Sequence, residues 1–169
     1  MNAPDRTGHE VVVTLRRIIR AIDLHSRRLT REFGLTGPQL LILTEISRGE
    51  ELTVGEVAHR AHLSQATVTV VVDRLEEGGL VVRTRDVIDR RRVHLAMTER
   101  AAKLLDTRPS LLQDRFMERF GGLRDEEQLA ILDSLTRVAR MMDAEDIPVP
   151  PTLTGGLLPG LDAAVETEQ

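Results

Sequence analysis

LTVGEVAHRAHLSQATVTVVVDRLEEGGLVVRTRDVIDRRRVHLAMTERA, residues 52–101, carries two helix starts, a double-glycine stop and a hairpin pattern in unbroken succession. Thr53 with Glu56 three residues on forms a capping-box pair, in which each side chain satisfies a backbone amide of the other residue, so a short helix VGEVAHRA is expected. Leu63 and Ser64 break it. Ser64 is placed to cap a longer helix, QATVTVVVDRLEEG, which stops at Gly78 and Gly79. LVVRTR then reads as a strand, VIDR as a polar turn and RRVHLAM as a second strand, with Val93, Leu95 and Met97 alternating onto one face. Thr98 caps the next helix. The order is helix, tight turn, helix, hairpin.

Working outward toward the N-terminus, Val12, Leu15, Ile19, Ile22, Leu29 and Phe33 approximate a heptad stripe on one long helix running from about Glu10. Gly34 closes it. Thr36 and Pro38 open another helix, GPQLLILTEISRG, because a hydroxyl cap followed by an early proline is a standard helix start. In the other direction Leu104, Leu105, Leu111, Leu112, Phe116 and Phe120 follow Thr98, and Pro109 is expected to bend or interrupt their helix. A last helix starts at Asp125 and puts Leu129, Leu132, Leu135, Val138 and Met142 on one side. These outer helices have more apolar face than a small module can cover, so a second subunit is the expected sink.

The expected fold is mainly α with a small β-hairpin wing. Residues 1–9 read as a flexible N-terminus, 10–34 as a dimerisation helix and 35–98 as a winged helix-turn-helix domain. Residues 99–143 read as C-terminal dimerisation helices and 144–169 as a Pro/Gly-rich acidic tail.

Composition narrows the options. The 169 residues suit one domain with an appendage, and the scarcity of aromatics favours a core of Leu, Val, Ile and Ala, as in helix-on-helix packing. There is no cysteine, which excludes disulfides, thiolate zinc sites and thiol catalysis. No apolar run is long enough to span a bilayer and MNAPDRTGHE does not read as a signal peptide, so a cytoplasmic location is expected. The net charge of −4 is unevenly placed: from Asp143 onward there are six acidic residues and no Lys or Arg, which leaves the body at +2.

The longer helix of the central stretch buries its VVVDRL side and has polar residues at its front. A helix of this length fits a DNA major groove, where Ser64, Gln65, Thr67 and Thr69 can meet base edges or phosphates. Ordinary capping and surface polarity is the competing account of each. Arg74 is placed to reach a phosphate or to pair with Asp73 or Glu77. Arg83, Arg85, Arg90, Arg91 and Arg92 concentrate positive charge on the hairpin, with Asp89 among them. Paired with Arg91, Asp89 would brace the turn so that Arg90 projects into an electronegative minor groove.

Leu52–Ala101 resembles the core of the MarR family of bacterial regulators, whose wing signature reads here as Asp89, Arg91, Leu95, Met97, Thr98 and Ala101. Met97 stands where the family usually has Leu, and Ala101 where Gly is common. The resemblance runs from about residue 10 to 143. It implies an obligate homodimer that sets two winged domains on an approximately palindromic operator, with half-sites about 34–36 Å apart. It also implies a minor-groove role for Arg90, backbone contacts at Thr36, Pro38 and Arg74, and a ligand-responsive repressor as the usual function.

Other constellations point less sharply. His59 and His62 are spaced i, i+3, but without cysteine or a carboxylate cluster they predict no metal site. Arg16, Arg20 and His25 on the first helix are candidates for binding a small effector. No phosphate-cradling glycine loop, HExxH or GxSxG is present, so neither an enzyme nor a bound cofactor is expected. The alternative reading is a helical interaction module whose Arg-rich hairpin docks an acidic protein. A third possibility is that the acidic tail folds over the wings as a DNA mimic.

Overall fold

The structure, a computed structural model, describes residues 3–48, 52–86, 89, 92–107, 109–147, 149 and 152–153. Helix α1 spans Ala3–Phe33 and α2 spans Gly37–Ser47, followed by a two-residue strand β1 at Leu52–Thr53. Helices α3 (Val54–Ala61) and α4 (Gln65–Glu77) lead into the hairpin of β2 (Val81–Arg85) and β3 (Val93–Met97). Helices α5 (Glu99–Asp106), α6 (Leu112–Gly121) and α7 (Asp125–Met141) complete the described elements.

The N-terminus departs from expectation. Residues from Ala3 onward are helical, so most of the segment read as a flexible arm extends α1. Its residues carry no apolar stripe and gave no periodic signal, and Pro4 in the first turn is compatible with a helix start because amides there lack intrahelical partners. Strand β1 is a second departure. It joins the hairpin to make a three-stranded antiparallel sheet in the order β1-β3-β2, with Leu52 opposite Leu95 and Thr53 opposite His94.

Local chemistry sets each boundary of the central module. Thr53 Oγ1 accepts from the Glu56 amide, while the Glu56 carboxylate accepts from the Thr53 amide at 2.7 Å. These bonds from Thr53 hold the Glu56 carboxyl below the ordinary carboxylate range, so the cap is intact at neutral pH and is lost as pH falls through that lowered value. His62 ends α3 in the left-handed conformation at φ 54°, and this keeps the turn to α4 short. Ser64 then caps α4 by accepting from the Thr67 amide at 3.1 Å.

Helix α4 buries Val68, Val71, Val72 and Leu75, the i, i+3, i+4, i+7 stripe that a half-buried helix requires. They pack with Leu40, Ile42 and Leu43 of α2, Val57 of α3, and Val81 and Leu95 of the sheet. Each such fully buried side chain is stabilising by on the order of 1.5–3 kcal/mol. The C-terminal end of α1 joins through Leu29 and Phe33, and the α5 region through Ala101, Leu104, Leu105 and Leu111.

Around Pro109 the chain leaves α5 and restarts as α6, in agreement with the expected interruption. Beyond the core the outer helices keep apolar surface in water: Ile19 is 65% exposed, Leu129 66% and Leu132 60%.

Candidate nucleic-acid interface

The exposed side of α4 presents Gln65, Ala66, Thr69, Val70 and Arg74, with the capping residue Ser64 exposed at its start. Several polar groups here already have partners. Ser64 and Thr67 hydroxyls share a hydrogen bond of 2.8 Å, and Thr69 Oγ1 donates to the Gln65 carbonyl at 2.8 Å. The Gln65 amide lies across the start of α3, where a Cβ built on Gly55 would meet its Nε2 at 3.0 Å. Thr69 therefore presents its methyl group and oxygen lone pairs outward, whereas Ser64 and Thr67 are committed first to the helix cap. Arg74 has neither of the pairings that the sequence left open: Asp73 belongs to a different arginine, and among the described residues Arg74 has no ion pair.

The hairpin is tied to the end of α4 at its root. Gly79 adopts φ 65°, which a side chain would strain, and the Leu80 amide donates back to the Leu75 carbonyl at 2.8 Å. Thr98, where β3 ends, donates its hydroxyl to the Gly79 carbonyl at 2.8 Å and its amide to the Leu80 carbonyl at 3.1 Å. Recognition-type helix and hairpin thus share one anchor.

The hairpin arginines are not equivalent. Arg83 contacts Glu76 at 2.5 Å and Asp73 at 2.6 Å, both on α4. Burial opposes its charge, but the two carboxylates prevail and raise its pKa above the ordinary arginine value. Arg92 pairs with Glu56 at 3.3 Å, tying the other strand's entry to α3. Arg85 is exposed and has no ion pair among the described residues. The sequence reading treated these as one positive cluster, and the structure leaves Arg85 as its unpaired described member.

Arg90 and Arg91 lie outside the described residues, and with them the expected Asp89–Arg91 brace. The described side of the turn is held by Asp86, which sequence reasoning did not single out. Its Oδ1 accepts from the Asp89 amide at 2.8 Å and its Oδ2 from His94 Nε2 at 3.0 Å. His94 is buried near the turn end of the hairpin, although strand alternation assigned Val93, Leu95 and Met97 to the inner face.

Thr36 and Pro38 sit at the start of α2. Thr36 donates its amide to Gln39 Oε1 at 2.8 Å and stays exposed, but Pro38 is buried and has no amide proton to offer a phosphate. Burial removes Pro38 as a contact: it pre-sets the helix start that presents Thr36.

The three candidate effector residues do not converge. Arg16 and Arg20 border a shallow depression on α1 with Val13, Arg17, Ala21 and Leu24, and Arg20 is paired with Asp23 at 3.0 Å. His25 instead lines a separate cavity of about 300 Å³ between α1 and the α5–α6 junction, where its Nε2 contacts the Ser110 carbonyl at 3.0 Å. Leu29, Phe33 and Arg115 share that cavity. His59 and His62 are both exposed. Among the described residues no group of three or more His, Asp or Glu is arranged to hold a metal, and no helix is long and apolar enough to cross a membrane.

A capped helix with a polar front, anchored to a basic hairpin and backed by two further helices, defines a winged helix-turn-helix DNA-binding protein. Residues 33–92 match the model of the MarR family. The chain is 25% identical over 133 residues to the uncharacterized HTH-type transcriptional regulator YsmB of Bacillus subtilis, covering 79% of this chain and 91% of the relative. It is 28% identical over 99 residues to the HTH-type transcriptional repressor MdtR of the same organism, covering 59% and 64%. The crystal structure of the transcriptional regulator BldR from Sulfolobus solfataricus superposes with a TM-score of 0.52 at 27% identity, covering 83% of this chain and 99% of that one. Residues 33–92 thus resemble the MarR family, and the fold and these relatives, which are transcriptional regulators and not enzymes, make the chain a DNA-binding transcriptional regulator.

Proposed function

We propose that the protein acts in the cytoplasm as a homodimeric, ligand-responsive repressor that binds a palindromic operator. The observation that carries this reading is the pairing of a DNA-facing module with uncovered apolar stripes. Val12, Ile19, Leu129, Leu132 and Leu135 are all exposed in a single chain, and a second copy is the partner that buries them symmetrically. The domain division follows: 10–34 and 99–143 hold the dimer, and 35–98 bind DNA. That the relative MdtR is named a repressor supports the direction of control.

Within each subunit Thr69, Gln65 and Arg74 on the outer side of α4 face a major groove, with Ser64 and Thr67 fixing its N-terminus. Arg85 and Arg92 flank phosphates beside the minor groove, Asp89 shapes the turn, and Arg90 enters the groove with Arg91 beside it. Thr36 meets the backbone. The cavity containing His25 joins a dimer helix to the α5–α6 junction, so a small anion on Arg115 there would shift the modules relative to the dimer helices. Such an effector acts only through different affinities for the bound and free spacings. Arg16 and Arg20 form a second, shallower basic surface.

Arg85→Ala tests the assignment of charge. An exposed arginine with no ion pair among the described residues, neutralising one phosphate per subunit, should when removed from a dimer make the slope of log K against log salt shallower by about 2. Titrations of a fluorescent operator duplex at several salt concentrations measure this directly. Arg90→Ala combined with Arg92→Ala should weaken binding further, and unchanged DNA affinity in both variants would refute the DNA-facing hairpin in favour of a protein-docking one.

A further inference from the structure

We propose that Arg83 is a positioning residue that locks the wing to the recognition helix, so that each subunit reads both grooves with one rigid unit. Arg83 lies mid-strand in β2, opposite Leu95 of β3, and its guanidinium reaches sideways to α4. Nη1 contacts Glu76 and Nη2 contacts Asp73, two carboxylates at i and i+3 on the helix. Only 27% of the Arg83 side chain is exposed. A planar guanidinium gripping two carboxylates from different nitrogens fixes orientation as well as distance, which a lysine ammonium does not.

The rest of the hairpin shows why this tie matters. Thr98 fastens the root to Gly79 and Leu80 and β1 pairs with β3 at Leu95 and His94, but β2 is the outer strand of the sheet, held by β3 on one side alone. Arg92 and Glu56 tie the other strand, yet both side chains are about half exposed, where an ion pair holds weakly. The Arg83 bridge is less exposed on its arginine side only, with Asp73 49% and Glu76 41% exposed, but it holds two carboxylates at once and acts on the helix itself.

Charge argues against a simple cationic role. With Asp73 and Glu76 the Arg83 cluster is net negative, so it adds no attraction for phosphate. Either the bridge sets geometry, or Arg83 merely masks two acids near the duplex. These accounts give opposite results when the acids are removed.

The inference rests on the operator-binding reading, and the experiment separates the two. Wild type, Arg83→Met, Arg83→Lys and the double variant Asp73→Asn with Glu76→Gln are compared well below their unfolding temperatures. Affinity is measured for a duplex obtained by selection with the wild type and for a scrambled duplex, and amide exchange is measured on Val81–Arg85 without DNA. The lock predicts that Arg83→Met and the double variant each lower the selected-to-scrambled ratio about tenfold. It also predicts exchange about tenfold faster along β2 in both, an unchanged salt slope for Arg83→Met, and partial recovery with Arg83→Lys. A ratio that rises or stays level in the double variant overturns it, as does a shallower salt slope in Arg83→Met or unaltered exchange. If the wild type prefers no duplex, the operator reading fails, and the exchange measurement alone decides whether Arg83 holds the wing.

Discussion

Replacing Leu132 and Leu135 of α7 with glutamate is expected to convert the protein to single subunits and to weaken operator binding by a factor of about 100 or more. Both side chains project from one stripe and are exposed in the isolated chain, so the substitution leaves the core around α4 intact. What it removes is the apolar surface that a second copy buries, replacing it with four like charges across a two-fold axis. With the subunits separated, the second winged module loses the high effective concentration that the first one creates. Sedimentation would show the change of mass and circular dichroism the retained helices, and duplex titration would show the lost affinity. A variant that stays dimeric, or binds as tightly as wild type when monomeric, contradicts the proposed assembly.

The second large effect is on folding. Leu75→Ala should cost about 2–5 kcal/mol of stability, because Leu75 is fully buried and its removal leaves a cavity that neighbouring side chains fill only in part. The Leu75 carbonyl also accepts the Leu80 amide where α4 hands over to the wing, so loosening here reaches the hairpin root. Urea unfolding would record the drop as a lower midpoint at unchanged slope. A cost below about 1 kcal/mol would mean that the inner side of α4 is not packed as described.

The helix-turn-helix and hairpin were legible because their signals are local. Capping pairs lie three residues apart, the α4 stripe repeats at helical spacing, and Gly78-Gly79 marks the stop. The partners of the hairpin arginines were not legible, since Arg83 finds Asp73 ten residues back and Arg92 finds Glu56 thirty-six residues back. No periodicity encodes such pairs. Strand β1 was missed for a related reason: two residues carry no alternation, and they count as a strand only because β3 lies beside them.

The sequence also carried spacing that bears on the other candidates. Arg20 and His25 are five residues apart, which at about 100° per residue turns them well away from each other on α1. Pro38 was read as a helix-starting residue, and its lack of an amide to donate already argued against a phosphate contact there. His94 was harder to read, because its burial depends on Asp86 closing the hairpin from the opposite strand.

Hydroxyl-radical footprinting of the full-length protein on a selected duplex tests the central claim most directly. Two recognition helices on one face of B-form DNA should protect two equivalent patches whose centres lie about 10–10.5 base pairs apart, or a whole multiple of that, with minor-groove protection flanking each. One isolated patch, or even protection without that period, would contradict it.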